Sequence, residues 1–225
     1  MEEFNNYSNM SVTDSNKLLM KTFGWMFLGL ISTAIVGFAT YSSSAFSEII
    51  GMWPILALIE VVIVFAFHGL LRRAPAGVVL GLFFAYAMLN GLTLSAIFAF
   101  YELGSIAYAF FGTAALFGGL ALVGYTTNRD ISGLGTILGV GLIVSLIVSI
   151  INLFIGSSSI EILLNWVVIA LFCGYTIFDI NKLKLMAESG EFPEEKVSIY
   201  CALELYLDFI NLFIRLLRLF GKARD

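Results

Sequence analysis

From Thr22 onward the chain is a succession of long apolar runs parted by short polar breaks, and that punctuation leaves it few ways to fold. The runs lie near Thr22 to Tyr41, Pro54 to Leu71, Gly77 to Phe100, Ser105 to Tyr125, Thr136 to Ile155, Ile162 to Phe178 and Ser198 to Phe220, the sixth followed by a polar helical extension. Each approaches the roughly 20 residues with which an α-helix crosses the hydrocarbon core of a bilayer. Lipid offers no hydrogen bonds to an open sheet edge, and continuous apolar runs lack the alternation of a barrel strand, so helices are predicted. Charged residues make up only 12% of the chain, about half the share of a soluble domain, and the mean hydropathy is +0.96. The expectation is an all-α integral membrane protein: a polar cytoplasmic tail over residues 1–21, one domain of seven spans over 22–220, and a short tail over 221–225. Its first partner is therefore the lipid bilayer. The net charge of -4, with no basic block, excludes nucleic acid as a partner.

Cys173 and Cys201 fall inside predicted spans without a CxxC motif or a companion histidine, so they read as free thiols rather than a zinc or disulfide framework. The opening MEEFNNYSNMSVTDSNK is polar and acidic and does not read as a cleavable signal peptide. Gly135 and Gly139 stand at GxxxG spacing, a pattern that lets helices approach closely in lipid. Lys17, Lys21, Arg72, Arg73 and Arg129 lie in alternate breaks, and Lys182, Lys184 and Lys196 surround the sixth break. Positive loops stay in the cytoplasm, which puts the N-terminus and the sixth break inside. Arg215, Arg218, Lys222 and Arg224 then pose a conflict, because a full seventh crossing carries them outside. Either the last span crosses against the charge rule, or it re-enters.

Ionisable groups at membrane depth are costly, and their default reading is functional. Glu60, Asp179, Glu204 and Asp208 qualify. Glu60 sits in LALIEVVIVFAF and needs a partner or a proton; His68, two turns on, reads as a helix-end residue. In the last span Cys201, Glu204, Asp208, Asn211 and Arg215 recur at steps of three or four, which places them on one helix face. Asp208 lies too deep to snorkel. Asp179, in GYTIFDINKLKL, taken alone fits either a helix-end carboxylate or a buried one. The sixth span descends to the cytoplasmic side and the seventh rises from it, so the two aspartates could meet across an antiparallel pair. Two carboxylates in a low-dielectric site cannot both ionise cheaply, so such a pair should share a proton and titrate together. A pH sensor or a cation site follows.

Three segments, FGTAALFGGLALVGYTTNRD, GYTIFDINKL and LELYLDFINLFIRLLRLFG, resemble the Bax inhibitor-1 family, also called the transmembrane Bax-inhibitor-motif family, in its short bacterial YccA/YetJ-like form. The resemblance covers essentially the whole chain. It implies seven helices with the C-terminal one central and surrounded by the other six, and a pH-sensitive calcium leak whose two-aspartate sensor corresponds to Asp179 and Asp208. It also implies an acidic residue on the second helix, matched by Glu60, and a basic latch on that helix, for which Arg72 and Arg73 are the candidates. Other membrane proteins, such as a membrane-anchored protease or cell-death factors, are further implied partners.

The leading expectation is thus a non-enzymatic, proton-gated leak for calcium, with protons and calcium as its ions and no cofactor. Asp179 and Asp208, with Glu204 and Asn211 in support, offer oxygen ligands for a weak, transient calcium site but too few for a tight one. A regulator that binds other membrane proteins without essential ion flux is the alternative. An intramembrane aspartyl protease, whose paired aspartates would activate water, requires GxGD and PAL motifs, whereas Asp208 sits in LYLD and neither motif is present.

Overall fold

The computed structural model describes residues 2–71, 73–127, 129, 131–189 and 193–224. They form helices α1 (Glu2–Tyr41), α2 (Phe46–Gly51), α3 (Trp53–Leu70), α4 (Ala76–Leu94), α5 (Ala96–Phe100), α6 (Leu103–Thr126), α7 (Ser132–Ile155), α8 (Ser158–Ser189) and α9 (Glu194–Phe220). Among the described residues, seven stretches are long and apolar enough to cross a membrane, with α4 and α5 counted together. This is the all-α, seven-span fold expected from the hydropathy.

Two boundaries depart from expectation for local reasons. The predicted polar tail is not separate from the first span: α1 continues back to Glu2, since residues 2–21 contain neither glycine nor proline to stop it. The third span is interrupted at Ser95, whose Oγ donates to the Leu92 carbonyl at 2.6 Å. The sixth span continues past Phe178 as the expected polar helical extension, reaching Ser189 in α8, with its polar side chains employed at the end of α6. Asn181 Nδ2 donates to the Thr127 carbonyl at 3.0 Å, and Lys184 Nζ donates to that of Tyr125 at 2.6 Å. Carbonyls at a helix C-terminus have no intrahelical donor and carry partial negative charge, so an amide and an ammonium suit them.

The chain divides into two compact units. The first comprises Met1–Tyr101, Leu185–Tyr206 and Arg224–Asp225. Within it, Thr33 of α1 donates to the Ala87 carbonyl of α4 at 2.8 Å, and Phe83 of α4 meets the Tyr206 ring of α9 edge to face. Lys196, near the start of α9, reaches the Leu71 carbonyl at 3.3 Å. Arg224, beyond its end, donates to Tyr41 Oη at 2.7 Å and to the Phe98 carbonyl at 3.2 Å. Leu71 closes α3 at the end of the unit opposite Tyr41, so α9 runs from one end to the other instead of re-entering. Its 27 residues span about 40 Å.

The second unit comprises Glu102–Lys184 and Leu207–Ala223. Helices α6 and α8 touch at Gly124, where a Cβ would stand 2.6 Å from the Ile177 carbonyl oxygen. Gly135 of the GxxxG pair does likewise for α7 and α8, seating the Phe178 ring where a side chain would collide with it. Packing is the role this spacing suggested. Gly156, at φ 69°, turns the chain between α7 and α8, a backbone region that glycine enters without Cβ strain. Asn152 locks that turn by exchanging two 3.1 Å hydrogen bonds with the Ser157 backbone. In the most apolar stretch of α9, 78% of residues are buried, against 11 to 33% in the other spans.

Candidate functional site

Steps of three or four bring Asn165, Val168, Phe172, Thr176, Asp179 and Leu183 onto the buried face of α8. Asp179 is 5% exposed and lies well inside the helix, so the helix-end reading of this residue gives way to a buried one. Asp208 of α9 is 3% exposed. Its neighbour Phe209 packs edge to face against Phe110 and Phe117 of α6, with ring centroids 5.3 and 5.6 Å away. Asp208 also acts electrostatically on the half-buried thiol of Cys173. Asp179 follows Cys173 on α8 by about 9 Å of helix rise. Both carboxylates belong to the second unit.

The rest of the polar stripe is unevenly buried along α9. Cys201 is buried, Glu204, Asn211 and Arg215 are half-buried, and Asp208 is the most enclosed of the acids. Asn211 Nδ2 donates to the Leu207 carbonyl of its own helix at 2.8 Å. Arg215 donates from Nη1 to Asn165 Oδ1 at 3.0 Å, a bond to α8 that sequence reasoning missed. Among the described residues, no group of three or more His, Cys, Asp or Glu side chains gathers as a metal cage.

In the first unit Glu60 has the partners its position demands. Thr93 Oγ1 donates to Glu60 Oε1 at 2.6 Å, and the Asn90 side chain also bonds the carboxylate. The network continues inward: Tyr206 Oη donates to Asn90 Oδ1 at 3.1 Å and lies 2.7 Å from Thr33 Oγ1. Helices α1, α3, α4 and α9 thus share one chain of polar groups. Thr33, Asn90, Thr93 and Tyr206 were not singled out from sequence, because each alone is an ordinary residue of an apolar helix. The only signal was the presence of an acid nearby in need of donors. His68 is exposed and its Nδ1 lies 2.8 Å from the Val64 carbonyl of its own helix, as suits a helix-end residue. Of the two latch candidates, Arg73 is exposed and Arg72 lies outside the described residues.

Residues 15–225 match the profile of the family described as "Inhibitor of apoptosis-promoting Bax1". The inner membrane protein YbhL of Escherichia coli is 38% identical over 214 residues, covering 92% of each chain. An uncharacterized protein of Borreliella burgdorferi is 36% identical over 93% of this chain and 94% of its own. An uncharacterized membrane protein of Streptococcus pyogenes is 39% identical over 74% of this chain and 72% of its own. With seven spans, a buried aspartate on each of the last two and likeness along almost its whole length, the chain belongs to the Bax inhibitor-1 family.

Proposed function

We propose that the protein is a pH-sensitive cation leak of the inner membrane, with calcium as the permeant ion and Asp179 and Asp208 as the gating pair. The observation that carries this reading is the burial of both carboxylates, at 5% and 3% exposure, on helices of one compact unit. Buried acids in a membrane domain are expensive to keep and mark ion or proton pathways by default. Two carboxylates offer fewer oxygens than the six to eight of a tight calcium site, and weak binding suits passage. Glu204 and Asn211 extend the polar face, and Glu60 with its threonine and asparagine donors is a separate polar station. The 78% burial of α9 supports a central position for that helix. The likeness to a protein named for the inner membrane supports the location, and the Lys and Arg bias supports a cytoplasmic N-terminus. No catalytic step enters the reading. Purified protein in liposomes loaded with a calcium-sensitive dye provides the test: calcium entry that depends on pH is expected. A folded protein with no flux at any pH would overturn the leak and leave a regulator that docks other membrane proteins.

A further inference from the structure

Beyond the aspartates, the second unit holds a cavity of about 560 Å³ bounded by α7, α8 and α9. Its polar lining includes Arg215, Arg218 and Glu161, with Ser145, Ser149 and Asn211 between them. The two arginines are close enough to repel each other, and Glu161 attracts Arg215. Two guanidinium groups against one carboxylate leave the cavity with an excess of positive charge. That carboxylate is on an exposed residue, where solvent weakens its hold. Arg215 commits one donor to the buried Asn165, which fixes the guanidinium and leaves the rest of its five donors available. Like charges held side by side in a cavity call for an anion.

The surroundings indicate which anion. Arg218 and Arg215 precede the last residue of α9, Phe220, by about 3 and 7.5 Å of helix rise. That is the depth of the headgroup layer, which adds roughly 5–7 Å to each side of the hydrocarbon core. The α7–α8 turn at Gly156 borders the same cavity. Apart from Asn152 and Ser158 at that turn, its remaining wall is apolar, and Leu146 and Leu153, at 59% and 81% exposure, open it sideways to lipid. A bare inorganic ion would leave most of the space unfilled, whereas the volume lies within the roughly 300–1,000 Å³ of ligand pockets. Basic pockets between membrane helices are suited to lipid headgroups.

The geometry points to a binding site for the phosphate-bearing headgroup of an anionic phospholipid, with Arg215 and Arg218 on the phosphate and the leucines of α7 along the acyl chains. Arginine pairs with phosphate oxygens through parallel, charge-assisted hydrogen bonds. The site uses neither aspartate and shares only Asn211 with the leak reading. The test is native mass spectrometry of the full chain in neutral detergent with phosphatidylglycerol or phosphatidylcholine of matched acyl chains, with and without millimolar inorganic phosphate. Wild-type protein is expected to retain phosphatidylglycerol preferentially. Arg218→Gln should cut that retention about ten-fold, the equivalent of one charged hydrogen bond. Ser149→Trp, which fills the cavity and leaves every charge in place, should cut it as well. Equal retention of the two lipids, or a preference unchanged in both variants, would overturn the proposal. Displacement of the lipid by inorganic phosphate would overturn the choice of a lipid and assign the site to a free anion.

Discussion

Gly124→Ala tests the tightest helix contact around Asp179. The added methyl would lie 2.6 Å from the Ile177 carbonyl oxygen and 3.0 Å from Ile180 Cβ, one a backbone atom and the other the branch point of a side chain. Neither can rotate away, so α8 must retreat by most of an ångström to reach ordinary contact. Forcing a methyl into a packed interior costs about 1–3 kcal/mol, and alanine's better helix propensity returns up to about 1 kcal/mol. Gly118→Ala and Gly119→Ala on the same helix meet nothing within 4 Å and receive the propensity gain alone. The propensity gain cancels between them, so unfolding in mixed micelles with rising dodecyl sulfate should place Gly124→Ala about 1–3 kcal/mol below these controls. Asp179 lies between Ile177 and Ile180 on α8, so the same variant should also shift the pH response of calcium flux. A Gly124→Ala protein as stable as the Gly118→Ala control would refute the close approach of α6 and α8.

Other expectations follow from the first unit and the chain end. Thr93→Val should destabilise the protein by about 1–3 kcal/mol, because it removes a donor from the Glu60 carboxylate, while Thr93→Ser should restore most of the loss; micelle unfolding reads both. Tyr206→Phe should cost about 1 kcal/mol in the same assay by cutting the bond to Asn90. A cysteine placed after Asp225 should react with an impermeant reagent from outside the cell, and one in the break before α9 should not. Labelling of the C-terminal cysteine from inside alone would contradict the full crossing of α9.

The spans were legible because apolar length is a property of each segment by itself. The long run ending near Phe220 and the carboxylates at Asp179 and Asp208 announce themselves in one dimension. The missed features depend on which helix faces which. Asn165 and Arg215 are 50 positions apart, and Glu60 and Thr93 are 33 apart, so their bonds exist only once the helices have packed. The charge conflict at the C-terminus has a similar origin. A count of loop arginines treats them as free in water, whereas Arg224 is tied to Tyr41, Lys222 to Glu102 at 2.6 Å, and Arg215 to Asn165. The polar extension of α8 was legible, but the α6 carbonyls that Asn181 and Lys184 find were not, since those bonds too exist only after packing.

The central claim is that Asp179 and Asp208 act as one titrating unit that gates cation passage, and a double-mutant cycle on flux addresses it most directly. Calcium entry into liposomes is measured over a pH series for wild type, Asp179→Asn, Asp208→Asn and the double variant. Each single change should alter the pH dependence, and the double variant should behave much like either one, because residues acting through a shared proton are strongly non-additive. Two independent, additive effects, or an unchanged pH dependence in both single variants, would contradict the account.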